Sequence, residues 1–208
     1  VKRSHASGSN SISLDTLGFF AMADLKITKL DAARRQLRTA LGLWFADGDP
    51  VSIHTLLAAA HEIIHRLYRN KGLVNLVFDT DLIKDEYRGE FARRIKEAPS
   101  FFKHANHDAD DASILFNPET NDYIAMFLVQ ALADMGEEFG LEERAYIWWL
   151  IIHGPDVFQS KGKFLPADVV QNIKGIDKKQ FLHACELLHS QGQLRNFLGP
   201  RPPELKGR

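Results

Sequence analysis

A single cysteine, Cys185, stands in 208 residues. One thiol cannot close an internal disulfide, so the fold cannot depend on a disulfide framework, and a reducing compartment is the expectation. Long apolar runs are also missing. The longest, Ala145 to Ile152, has eight residues, whereas a membrane-spanning helix needs roughly 20. Excess charge of either sign is absent too: 26 basic and 27 acidic side chains leave a formal net charge of -1. No global field therefore favours DNA, a membrane surface or a strongly charged partner. Val1 to Ala21 lacks the apolar core of a signal peptide. The expectation is a soluble cytoplasmic protein whose native start is Met22, with 1–24 a disordered or non-native extension.

What is present is helical periodicity. Thr28 and Asp31 form a capping-box pattern, and Leu30, Ala33, Leu37, Leu41 and Trp44 recur at helical spacing. A first helix is predicted from about Lys29 to Ala46. Asp47-Gly48-Asp49-Pro50 ends it and starts a second over Pro50 to Asn70, with Asp49 as N-cap and Pro50 at the first helical position. A third should run from Asp79 or Asp81 to Ala98, with Pro99 interrupting it before Phe101-Phe102-Lys103-His104. Asn106 to Asn117 reads as a loop, and a fourth helix containing Tyr123, Phe127, Leu128, Ala131, Leu132 and Met135 should end at Gly140. A fifth, Glu142 to Ile152, carries Trp148-Trp149, suited to the core or a subunit contact. Two shorter helices are predicted over Ala167–Ile173 and Lys178–Ser190. Leu73 to Phe78 is the one short strand candidate. The fold class is all-α: a single helical-bundle domain of about five main helices over 25–158, a C-terminal helical appendage over 159–191 and a flexible tail over 192–208.

The strongest chemical pattern is His61-Glu62-Ile63-Ile64-His65, an H-E-x-x-H segment. Two histidines four apart share one helix face and can ligate zinc, while the glutamate between them can act as general base on a bound water. Composition makes an accidental match about 0.02 times expected, which is low but not decisive. A metzincin would continue with glycine at 68 and histidine at 71, where this chain has Tyr68 and Lys71. A third ligand must then come from the next helix, where Asp85, Glu86 and Glu90 are available and Glu86 is the nominal choice. On a helical wheel, Leu56, Ala60, Ile63, Ile64 and Leu67 fill the expected buried arc, from about 180° to 280°. His54, His61 and His65 form a stripe at its edge, and Glu62 points toward solvent. The competing reading makes these boundary histidines, hydrogen-bonded to neighbouring helices.

A second polar cluster follows: His104, His107, Asp108, Asp110 and Asp111. An HD-type phosphohydrolase would hold its His-Asp pair in an apolar helix, but His107-Asp108 reads as loop. An EF-hand starting at Asp108 would have Ala112 at a ligand position and Ser113 at the turn glycine. A solvated acidic linker accounts for these acids. His104 differs because Phe101 and Phe102 should anchor it. Arg88, Arg93, Arg94 and Lys96 interleave with Asp85, Glu86, Glu90 and Glu97, the pattern of an ion-paired exposed helix.

The segments Asp49-Pro-Val-Ser-Ile-His-Thr-Leu56, Ile83-Lys-Asp-Glu-Tyr-Arg88 and Phe101-Phe-Lys-His-Ala105 resemble a family of short bacterial all-helical proteins. The likeness spans most of Ile27 to Phe158, implies a helical fold and a bacterial cytosolic setting, and carries no activity with it. The helix order is also similar to HEPN domains, found in RNA-cutting toxins and defence systems. Their mark is an arginine followed four to six residues later by a histidine on one helix; Lys178 and His183 are the nearest substitute. Three readings result. The first is a binding module with a protein partner, as a homodimer through the Trp148-Trp149 region or an adjacent apolar face. The second is a zinc-dependent hydrolase with His61, His65 and Glu86 as ligands and Glu62 as base. The third is an RNA-interacting, HEPN-like protein with His104 as its candidate catalytic residue.

Overall fold

The structure, a computed structural model, describes residues 24–73, 89, 93, 97–103, 113–153 and 167–193. The chain is all-α, with no strand among the described residues. Six helices are delimited: α1 Lys29–Phe45, α2 Pro50–Asn70, α3 Thr120–Asp134, α4 Leu141–His153, α5 Ala167–Lys174 and α6 Lys178–Ser190. Residues 97–103 form a further helical run. Pro99 lies inside that run rather than ending it, and its ring is buried. Burial offsets part of the hydrogen bond that a proline nitrogen cannot donate. Of the predicted strand only Leu73 is described, of the predicted third helix only residues 89, 93, 97 and 98, and of the two predicted terminal segments only Asp24, Gly192 and Gln193.

Helix starts follow their capping residues. Asp31 N–H donates to Thr28 Oγ1 at 3.1 Å and Thr28 N–H donates to Asp31 Oδ2 at 3.1 Å, the reciprocal pair of a capping box. Asp49 accepts from Ser52 N–H at 2.7 Å, with Pro50 next in line. Asp177 and Gln180 cap α6 in the same reciprocal way. The end of α3 departs from expectation: it stops at Asp134, and Gly136, with φ of +78°, makes the turn. A residue without Cβ enters the left-handed region at no steric cost, so Gly136 is the helix terminator. Gly140 instead makes close approach possible, since a Cβ there would lie 2.7 Å from both Arg38 Nη2 and Glu143 Oε2.

α1 is the hub, in contact with α2, α3, α4 and α6. Its buried residues are Ala33, Leu37, Ala40, Leu41, Trp44 and Phe45. α2 and α3 also contact each other, and α4 contacts α5 and α6. Trp148 is buried and Trp149 packs against the core cluster, so this pair serves the interior. Tyr123, expected on the packing face of α3, is 56% exposed. Cys185 is fully buried, and desolvation pushes its thiol up to about 12, which leaves no thiolate for chemistry near neutral pH.

Two glycine substitutions should act in opposite directions. Gly42 lies within α1 with nothing within 4 Å of an added Cβ, so Gly42→Ala should stabilise by about 0.5–1 kcal/mol. Gly136→Ala should destabilise by about 1 kcal/mol or more through its positive φ. Urea melts of both variants measure the two signs.

Candidate functional site

α2 places His54, His61 and His65 on one stripe, but the stripe runs within the packed face rather than along its edge. His54 is 0% exposed and His61 9%, and His65 is half-buried. The buried set on α2 is Ile53, His54, Leu57, Ala58, Ala60, His61, Ile64 and Tyr68. Leu56, Ile63 and Leu67, expected at the centre, are only partly buried. The face is rotated toward the histidines where α2 packs against α1 and α3, whereas hydropathy alone puts imidazoles at the boundary.

Each end of the stripe has its own surroundings. At the N-terminal end, His54 Nδ1 lies 2.8 Å from Asn121 Oδ1, and Asn121 Nδ2 donates to the Pro50 carbonyl at 3.0 Å. The amide orientation follows from the second bond, so Nδ1 of His54 carries the proton and donates. Phe116 and Phe102 pack edge-on against the ring, with centroids at 4.9 and 5.8 Å. Burial holds the His54 pKa below the ordinary imidazole value, against the raising effect of Asn121; the nearby Lys103 charge adds to the lowering. Toward the C-terminal end, the His61 and His65 rings stack with centroids 5.5 Å apart and planes 19° from parallel. Glu62 is 74% exposed and lies 3.8 Å from Lys103 Nζ.

Two imidazoles bound to one tetrahedral zinc at 2.0–2.1 Å place their centroids about 5 Å apart, close to what is seen here. The His61 and His65 planes lie 19° from parallel, and in-plane lone pairs of two near-parallel rings meet at one point only where the rings lie close to a common plane. His54, seven residues from His61, is about 10 Å away along the helix and cannot join the pair. Among the described residues no group of three His, Cys, Asp or Glu side chains is placed to hold a metal. Lys103 places a positive charge beside Glu62, the residue expected to act as general base. The described residues thus supply His61 and His65 and no third ligand to complete a zinc centre. Glu86 and His104, the nominal third ligand and the candidate catalytic histidine, lie outside the described residues, as do Asp85, Glu90 and the acidic cluster from His107 to Asp111.

Lys178 and His183 do not assemble a cleavage pair. Lys178 Nζ is 2.7 Å from Asp47 and 4.3 Å from the centroid of Trp44, while His183 is exposed and 3.5 Å from its own helix neighbour Glu186. The residues that sequence reasoning missed are Asn121 and Phe116. Asn121 stands 67 positions from His54, and no local pattern marks a partner at that range. The one available signal was its place in the first turn after Asn117-Pro118, where a polar residue serves local capping equally well.

Removal of Asn121 should matter far more than removal of the Glu62 charge. Asn121→Ala strands a buried imidazole donor and should cost about 1–3 kcal/mol, whereas Glu62→Gln at an exposed pair should stay within about 0.5 kcal/mol; urea unfolding compares them. Because the folded His54 pKa lies below its unfolded value near 6.5, the folded state binds fewer protons in that window. Stability should hold above about pH 6.5 and fall below it, by at most about 1.4 kcal/mol per pH unit from this residue. His153, half-buried and stacked on Trp149, shifts in the same direction through burial. The chain matches no family model, no curated protein and no solved structure to a significant degree.

Proposed function

We propose that this chain is a bacterial cytosolic binding module that works through a protein partner, with a second copy of itself as the form to test first. The observation that carries this reading is the commitment of chemistry-bearing side chains to internal contacts. His54 is bonded to Asn121, Glu62 pairs with Lys103, and Lys178 pairs with Asp47 beneath Trp44. Large apolar side chains meanwhile face outward on the three segments that meet at His54. Val51, on the first turn of α2, is 38% exposed; Tyr123, two residues beyond Asn121, is 56% exposed; Leu115, next to Phe116, is fully exposed. Apolar surface on polar-rimmed helix ends is the material of protein contacts. The bacterial and cytosolic setting rests on the resemblance of the Asp49–Leu56 and Phe101–Ala105 segments.

Light scattering on untagged protein from about 10 to about 500 μM should reveal reversible self-association, a range that captures dissociation constants in the micromolar regime. A Leu115→Glu, Tyr123→Glu double variant should raise the dissociation constant at least about tenfold. A wild-type monomer at the highest concentration sinks the homodimer. Zinc analysis of the same preparation should give less than about a tenth of an equivalent. A full equivalent that disappears in His61→Ala and His65→Ala would instead move the reading to the hydrolase.

A further inference from the structure

His54 is a fully buried imidazole whose Nε2 has no hydrogen-bond partner among the described residues. Its Nδ1 is engaged as donor to Asn121, so the neutral ring leaves Nε2 as a lone pair in an aromatic enclosure. The walls are Phe102 and Phe116, whose own centroids are 5.3 Å apart, with Phe101 behind Phe102 at 6.1 Å. Two stretches of chain thus close over one ring: the helical run 97–103 and the extended residues before α3.

Among the described residues, the charged groups around this enclosure offer no compensation for a proton. On the 97–103 run, Lys103 carries the same sign as an imidazolium and is occupied with Glu62 of α2. On α3, Asp122 follows Asn121 but accepts from the Trp44 indole, on the far side of the helix start. Glu119 caps that helix from an exposed position. On α2, Asp49 is bonded to Ser52 and Glu62 faces solvent. Among the described residues, a proton on Nε2 would find neither an acceptor nor a counter-ion in an apolar setting, at a cost that edge-on phenylalanines offset only slightly.

We propose that His54 is the latch of a proton-operated clamp: neutral, it lets Phe102 and Phe116 close over α2, and protonated, it releases the 97–103 run while the bundle stays folded. Release is local because α2 is held to α1 and α3 by its remaining face. Ile53, Leu57, Ala60 and Ile64 belong to the core cluster, and Tyr68 Oη donates to Asp134 at 2.9 Å. The 97–103 run meets α2 through Phe102 on His54 and Lys103 beside Glu62. The depressed imidazole pKa has the matching sign, with the closed form favoured above the ordinary histidine range and disfavoured below it. Opening uncovers His54 and an aromatic surface in one step, which makes acidification a means of presenting a binding face.

Hydrogen exchange of the full chain between about pH 7.5 and about pH 5.5, corrected for intrinsic rates, reads the clamp directly. Protection over 97–103 should fall by up to about tenfold per pH unit below about 6.5, while α1 and α4 keep theirs. His54→Asn retains a donor near the Nδ1 position and cannot titrate, so its 97–103 protection should be independent of pH. A slope that persists in His54→Asn, a wild-type run without pH dependence, or a loss shared equally by α1 and α4 would each overturn the clamp. Should His54→Asn fail to fold, the imidazole signal of wild-type His54 decides: it should titrate with the same midpoint as the release of Phe102, and titration that leaves the Phe102 ring signals unchanged ends the proposal.

Discussion

Trp44 is the constraint on which the packing of this chain depends. Its indole Nε1 donates to Asp122 on α3, its ring meets Tyr146 of α4 edge-on at 5.1 Å, and Lys178 of α6 lies over its face at 4.3 Å. Tyr146 Oη completes the joint by donating to the Asp122 carbonyl at 2.7 Å. One side chain on α1 therefore contacts three other helices. An aromatic ring with a single polar atom suits this role, since it supplies large buried area while its one donor is satisfied and sets the orientation. The cost is a carboxylate drawn out of water: burial raises the Asp122 pKa, and the indole bond and the Lys178 charge pull it back.

A second polar joint holds the turn between α3 and α4. Glu143 is completely buried and accepts from Arg38 Nε at 2.9 Å. Arg34 donates to the Glu138 carbonyl and lies 3.5 Å from Glu137, which Lys71 also approaches at 3.6 Å. A buried carboxylate is tolerable only when paired and hydrogen-bonded, and the missing Cβ of Gly140 is what lets the Arg38–Glu143 pair sit against the backbone. These joints lock α1 against α3 and α4. α2 is then the helix whose polar face meets a less committed neighbour, the 97–103 run, and that is where the histidines are.

Much of the helical skeleton was legible because capping and periodicity are local. Thr28–Asp31, Asp49-Pro50 and the apolar spacing of α1 place helix ends through contacts three or four residues apart. Gly136 and Gly140 show where that legibility stops. Both are glycines after an apolar helix, yet one is needed for its φ and the other for the side chains it admits. Telling them apart requires knowing that Arg38 and Glu143 converge there, a long-range fact. Tyr123 fails similarly: its spacing matches the face of α3, but Asn121 occupies the buried position in that turn because His54 needs it.

The sequence by itself determined the helical class, most helix boundaries and the alignment of three imidazoles along α2, since each follows from the 3.6-residue period and from first-turn hydrogen bonds. Tertiary structure decided what those imidazoles face. The burial of His54, the proton on its Nδ1 and its partners Asn121 and Phe116 depend on segments distant in the chain. A ligand, a core residue and a titrating latch share one sequence pattern, and they differ only in the dielectric and the hydrogen-bond partners that other helices bring to the ring.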